Sequence, residues 1–279
     1  MKEYPIYIGG EFLKTDQLLK VQNPFNQEVI AETCLAGTIE LEKAIVKGLA
    51  VKNEMRDLPA YKRFQILKQL SEAVGDHMEE MAMLLAQEAG KPLRFAKGEI
   101  ARGQQVLLVA AEEAKRLPRE YFSIDWTAAG ENKEGLVKYF PIGLIAGIAP
   151  FNFPLNLALH KIAPAIASGN PIIIKPARNT PLSVLNFARM VDQTDLPKGA
   201  FSVLPMNREA GNQLVTDERI KMLSFTGSPQ VGWKMKREAG RKKVALELGG
   251  NAGVIVSKDA DLDLAVQKCT VGGYAYSGQ

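Results

Sequence analysis

Four short stretches carry side chains whose chemistry departs from the apolar runs around them. In Ala149-Pro150-Phe151-Asn152-Phe153-Pro154, two prolines fix the backbone on either side of a single carboxamide. A carboxamide held this way can donate to an oxygen that gains negative charge, or it can be a turn asparagine between prolines. Ile172-Ile173-Ile174-Lys175-Pro176-Ala177 sends an ammonium group straight out of an isoleucine run. That group can reach a ribose hydroxyl or a phosphate, or snorkel to the surface. Phe225-Thr226-Gly227-Ser228-Pro229-Gln230-Val231-Gly232 reads as strand, turn and helix start. Free N–H groups and partial positive charge at such a start suit a pyrophosphate, although an ordinary helix cap reads the same way. Leu246-Glu247-Leu248-Gly249-Gly250-Asn251 ends an apolar run on a carboxylate followed by paired glycines. Apolar surroundings raise a carboxyl pKa and would suit Glu247 to take a proton, and the glycines allow close approach of a ligand. The competing account is a glutamate that caps a neighbouring helix.

These stretches need elements to bring them together. From about residue 136, short β-rich runs at 144–149, 171–175, 201–204, 222–225 and 244–248 alternate with helical stretches near 155–168, 181–193, 208–217 and 229–239. That alternation predicts βαβ crossovers, a parallel sheet and a Rossmann-like α/β fold, in which the strand ends place the ligand. Upstream, residues 4–13 predict a hairpin at an edge of the fold, around Gly9 and Gly10. Helices are expected over 39–56, 60–89 and 93–117, each burying one apolar stripe. Residues 121–140, with Trp126, Leu136 and Tyr139 around a polar turn, predict a projecting β-ribbon that needs a partner surface.

Composition narrows the function classes. The 35 basic and 31 acidic groups leave a net charge of +4, too diffuse to argue for nucleic acid. The clusters around Lys234 and Arg241 fit solvated helix ends better than a phosphate-rich partner. No 18-residue apolar run and no signal-peptide core is present, which predicts a cytoplasmic protein without membrane contact. His77 and His160, both expected within helices, are too few for a His-rich metal site, and no metal is expected. Cys34 and Cys269 give neither a disulfide framework nor zinc-ligand spacing.

Taken together and in this order, Pro150-Phe151-Asn152-Phe153-Pro154, Lys175-Pro176-Ala177, Phe225-Thr226-Gly227-Ser228 and Glu247-Leu248-Gly249-Gly250-Asn251 resemble the aldehyde dehydrogenase superfamily. The resemblance spans essentially the whole chain. It implies an NAD(P)-binding domain over 1–120 and 141–255, an oligomerising β-ribbon over 121–140, and the start of a catalytic domain over 256–279. It implies oxidation of a small aldehyde to its acid through a cysteine thiohemiacetal, with NAD or NADP as cofactor. By the same resemblance Asn152 is the oxyanion donor, Glu247 the general base and Lys161 a supporting residue near its proton route. Lys175 would hold the adenosine ribose, and Gly211 would lie beside the adenine. Ser228 and the adjoining helix start would take the pyrophosphate; Pro150 and Phe151 would line the nicotinamide side, with Leu248 and Gly249 near it, and Ala149, Pro176, Ala177, Gly227 and Val231 are further implied cofactor-binding residues. Arg178 stands where strongly NAD-preferring members often carry a glutamate, so it either attracts the 2′-phosphate of NADP or points to solvent. A homodimer or homotetramer is implied for the intact protein.

One departure bears on activity. The nucleophilic cysteine is expected two residues beyond Tyr276-Ser277-Gly278-Gln279, so the sequence reads as cut before it, with no turnover of its own. Cys269, in a helical stretch over 263–274, is expected to be a buried small residue rather than a substitute nucleophile. Two other classes stay open: a nucleotide-binding module without chemistry, and a relative that passes its acyl group to coenzyme A, against which the Glu247 base argues. For the substrate, lactaldehyde or another short semialdehyde is as far as the resemblance reaches.

Overall fold

The computed structural model describes residues 2–276, so the end of the Tyr276–Gln279 pattern lies outside the described residues. The chain begins with β1 (Lys2–Tyr4), β2 (Ile6–Ile8) and β3 (Glu11–Leu13), followed by β4 (Leu18–Gln22) and β5 (Val29–Cys34). β2 and β3 form the expected hairpin, turned by Gly9 and Gly10 at φ 48° and 95°, a region that favours glycine. A small sheet of order β1-β5-β4 was not expected. The sequence reading assigns no element to its two longer strands, although β4 buries Leu19 and Val21 at alternate positions as a half-buried strand does.

Helices α1 (Thr38–Ala50), α2 (Lys52–Asp57), α3 (Ala60–Asp76), α4 (Met78–Ala89) and α5 (Leu93–Ala114) follow. Two predicted helices are therefore each two. The backbone leaves helical geometry at Val51, where ψ is 4°, and at His77, where ψ is 19°. His77 thus stands at a helix junction rather than inside a helix, and its Nδ1 lies 2.9 Å from the Ala73 carbonyl oxygen. β6 (Arg119–Ser123) and β7 (Glu134–Lys138) pair as the antiparallel ribbon.

The second half alternates as expected: β8 (Ile145–Ile148), α6 (Pro154–Ala167), β9 (Ile172–Lys175), α7 (Leu182–Asp192), β10 (Phe201–Val203), α8 (Arg208–Thr216), β11 (Met222–Gly227), α9 (Pro229–Glu238) and β12 (Lys243–Leu248). The main sheet runs β12-β11-β8-β9-β10-β2-β3, with the first five strands parallel and the hairpin added antiparallel at the edge. Sequence order therefore reverses between β8 and β11. One core packs Ile145, Ile172, Ile174, Phe201 and Val203 against α6 and α7; the other packs Ala146, Ile148, Ile173, Leu223 and Phe225 against α1 and α8. Gly232 lets α9 approach that second face, since a Cβ there would meet Leu248 Cδ2 at 2.4 Å. The helices after β8 and β11 consequently leave on opposite faces, and a crevice opens between the two strand ends.

The chain divides into two compact units, one ending at Leu248 and the other beginning at Gly249. In the second unit, α10 (Leu262–Tyr274) is capped by Asp261, whose side chain accepts from the Leu264 N–H at 3.1 Å. α10 buries none of its residues, so Cys269 is exposed rather than buried as expected.

A buried carboxylate ties α4 to the sheet layer. Glu88 accepts from the Leu182 and Ser183 N–H groups at 2.7 and 2.9 Å, and from the Ser183 hydroxyl, at the start of α7. Burial pushes its carboxyl up to about 7, against the pull of those donors. A carboxyl raised on folding contributes stability that is complete below its ordinary value of 4.5 and is lost as pH rises through about 7. The expected result is that Glu88→Gln removes one component of the fall in Tm over that window, read by calorimetry at several pH values. A Tm difference between variant and wild type that does not change with pH contradicts this.

Candidate functional site

All five parallel strands end at one edge of the sheet, and that geometry gathers the four sequence stretches. β8 ends in Ala149, whose N–H donates to the Lys175 carbonyl at 3.1 Å, so the first two stretches are locked side by side. The chain then passes through Pro150, the exposed Phe151 and Asn152 before Pro154 starts α6. The Asn152 Oδ1 accepts the Phe153 N–H at 3.0 Å, a bond within the loop that fits the turn reading of this asparagine.

On the α8–α9 face lies a cavity of about 450 Å³ that takes in Ile148, Lys175, Arg178, Gly211, Val231 and Lys234. Lys175 is half-buried, and burial lowers the pKa of its ammonium. It has no hydrogen-bond or ion-pair partner among the described residues. A buried cation without a partner is costly unless something else satisfies it. Gly211 makes room for it: a Cβ there would stand 3.2 Å from Lys175 Cε. Pro176 is buried and Ala177 half-buried in the turn, while Arg178 is exposed at the cavity wall. Met206, Asn207, Arg208 and Asn212 also line this cavity, and the sequence reading did not single them out.

Gly227 ends β11, and Ser228 is the N-cap of α9. Its side chain makes no capping bond, and no acidic residue stands in the first turn. The other helices of the sheet differ. The starts of α6 and α7 are closed by Glu99 and Glu88, and that of α8 by Asn207, which accepts from Ala210 N–H at 2.9 Å. α9 therefore keeps the positive end of its dipole for something other than this chain's side chains.

On the opposite face, over β11 and β12, Lys161 of α6 is buried and donates to Thr226 Oγ1 at 2.7 Å. Gly147 leaves it space, as a Cβ there would stand 3.3 Å from Lys161 Cδ. Thr226 registers with Glu247 on the neighbouring strand, so both side chains share the face that Lys161 covers. Burial lowers the Lys161 ammonium to about 8, and the Glu247 charge opposes that shift. Glu247 itself is exposed at the sheet edge among polar groups rather than in the apolar surroundings expected of it. β12 is an edge strand, so one of its flanks carries no neighbour in the sheet. Leu248 is half-buried at the end of β12; Gly249 belongs to the second unit.

The sequence reading also missed Lys91 and Glu99. Glu99 is buried on α5, where it accepts from the Leu155 and Asn156 N–H groups at 3.1 Å each and from Lys91 Nζ at 2.6 Å. Its signal was a carboxylate inside the apolar stripe of Ala96, Ile100, Gly103 and Leu107. Nothing in the spacing of Lys91 marked it.

A doubly wound sheet with an open helix start and an unpartnered ammonium at its switch point has the architecture of dinucleotide-binding proteins. The chain belongs to the aldehyde dehydrogenase family, whose model matches residues 12–279. It is 36% identical over its whole length to a 3-sulfolactaldehyde dehydrogenase of Priestia aryabhattai, and spans 58% of that protein. It is likewise 36% identical, over 98% of its length, to the lactaldehyde dehydrogenase of Methanocaldococcus jannaschii, of which it spans 59%. Among solved structures, 98% of the chain superimposes on 58% of aldehyde dehydrogenase 21 of Physcomitrella patens in complex with succinate, with TM-score 0.94 and 40% identity. The NADP-dependent glyceraldehyde-3-phosphate dehydrogenase of Bacillus halodurans, complexed with NADP, matches with TM-score 0.96 and 29% identity over all of this chain and 59% of that one. The chain thus spans less than two thirds of the relatives it matches.

If Glu247 faces Lys161, then Glu247→Gln lowers the Lys161 pKa further below about 8, because the opposing charge is gone. A carbon-detected NMR titration of the lysine side chains reads this. An unchanged Lys161 titration would place the carboxylate elsewhere.

Proposed function

We propose that this chain is the cofactor-binding part of an aldehyde dehydrogenase whose intact form oxidises a small aldehyde to its carboxylic acid. The observation that carries the reading is the unpartnered Lys175 ammonium in its cavity beside Gly211, with the open start of α9 close by in the same fold. In this reading the adenosine half lies between α8 and α9, with Lys175 donating to its ribose. The pyrophosphate sits at Gly227, Ser228 and Val231, and the nicotinamide reaches through the crevice to Ala149, Pro150, Phe151 and Leu248. A bound nicotinamide supplies the acceptor for hydride. Asn152 donates to the substrate oxygen as it becomes an oxyanion. Glu247 takes a proton from the nucleophile or from the hydrolytic water, and Lys161, hydrogen-bonded to Thr226 beneath it, holds the route along which that proton leaves.

In this reading the nucleophilic thiol is neither Cys34, which is buried on β5, nor Cys269, which is exposed on α10, and the 279-residue chain binds cofactor without turning over aldehyde. Semialdehyde and lactaldehyde dehydrogenases among the relatives favour a short substrate. The exposed Tyr121, Trp126 and Leu136 of the ribbon segment favour a homodimer or homotetramer of the intact protein. Among the described residues no helix is long and apolar enough to cross a membrane, which accords with a cytoplasmic place.

Arg178, Arg208 and Lys234 all line the adenosine cavity, which favours NADP. Calorimetric titration with each cofactor tests the reading. Binding of NADP at least as tight as NAD is expected, with Arg178→Glu reversing the preference by about ten-fold, or ~1.4 kcal/mol. Lys175→Met should weaken both cofactors by a similar factor. A wild-type chain that binds neither would overturn the proposed function.

A further inference from the structure

The buried ion pair between Lys91, in the turn from α4 to α5, and Glu99 of α5 has a geometry beyond simple core support. Lys91 and Glu99 have side-chain exposures of 5% and 0%, and their charged atoms are 2.6 Å apart. The same Lys91 Nζ donates to the Asn152 carbonyl oxygen at 2.8 Å and stands 4.4 Å from the centre of the Phe153 ring. The other oxygen of Glu99 holds the Leu155 and Asn156 N–H groups of the first turn of α6. Every residue from 152 to 156 except Pro154, which has no N–H to offer, is thus touched by one of these two buried side chains. Arg102, also on α5, places its guanidinium 5.6 Å from the other contact of this loop, the Phe153 ring.

We propose that Lys91 and Glu99 are positioning residues for the Asn152 loop, setting where its carboxamide and the nicotinamide-side residues stand at the crevice. The inference rests on the dinucleotide reading above. A carboxylate alone would suffice to cap α6, as Glu88 does for α7 without any lysine. What the lysine adds is a bond to the one carbonyl that precedes the helix. A buried ammonium is tolerated there because the carboxylate and that carbonyl satisfy it together. With the Asn152 backbone carbonyl fixed by Lys91 and its Oδ1 fixed by the Phe153 N–H, the residue is held through both its main chain and its side chain. Losing either buried partner leaves the loop in place as chain but without a defined carboxamide direction.

The test uses two probes on the chain: NADP, and 2′,5′-ADP, which carries only the adenosine half. Lys91→Met is expected to weaken NADP by about ten-fold while leaving 2′,5′-ADP within about two-fold. Lys91→Arg, which can bond both the carboxylate and the carbonyl, should recover most of the NADP affinity. Because Lys91→Met leaves Glu99 buried and unpaired, the double variant Lys91→Met/Glu99→Gln supplies a folded form should the single variant not fold, with the same loss expected. Val74→Ala, a fully buried position on α3, lowers Tm without touching the loop and should leave the ratio of the two affinities unchanged. Equal weakening of both probes, or of neither, overturns the positioning role. A wild-type chain that binds 2′,5′-ADP but gains nothing from the nicotinamide half also overturns it. A wild type that binds neither probe overturns the dinucleotide reading and this inference with it.

Discussion

Five parallel strands ending at one edge, with the chain reversing direction across the sheet between β8 and β11, is the constraint on which the rest depends. A right-handed crossover carries α6 and α7 to one face and α8 and α9 to the other, so no helix can fill the gap at the reversal. Residues at the ends of β8, β9, β11 and β12 are carried to that one edge of the sheet, however far apart they lie along the chain. Asn152, Lys175, Ser228 and Glu247 are such residues, with Lys175 in the cavity on the α8–α9 face and Glu247 on the face that Lys161 covers.

The distribution of charge at the helix starts follows the same logic. A helix start that faces the core must have its N–H groups met, and this chain meets them with buried carboxylates from the N-terminal helices. Burial of Glu88 and Glu99 is costly for an isolated charge, but each is held by backbone donors and Glu99 also by Lys91. The start of α9 faces the crevice and receives no such group. The two faces of the sheet therefore differ in kind. One offers an open helix start and a lone ammonium for an anion, and the other a Lys161–Thr226–Glu247 cluster suited to handling a proton.

Much of this was legible in the sequence. The strands and helices of the second half fall within a few residues of their expected places, because a three-isoleucine run or a Pro-flanked helix start leaves little choice of local structure. The hairpin turn was marked by Gly9-Gly10, and the ribbon by aromatic residues around a polar turn. What escaped was of two kinds. Breaks at Val51 and His77 lie inside uninterrupted helical patterns, where a change of ψ leaves no residue-type signature. Lys91, Arg208 and Lys234 reach the Asn152 carbonyl or the cavity only through tertiary proximity; Lys234 read as a solvated helix end, and nothing local marked the other two. Glu247 shows the reverse error: its apolar sequence neighbours belong to the other face of β12, and the carboxylate looks out from the polar one.

The most direct test of a single crevice at the strand ends is an amide chemical-shift map of the isotope-labelled chain as NADP is added. Perturbations are predicted to concentrate after the parallel strands, around residues 149–153, 175–178, 207–212 and 226–232, while the N-terminal sheet and the α3–α4 junction stay still. Shifts that gather instead at the opposite end of the strands, around 141–145 and 168–172, or that appear nowhere, would contradict the account.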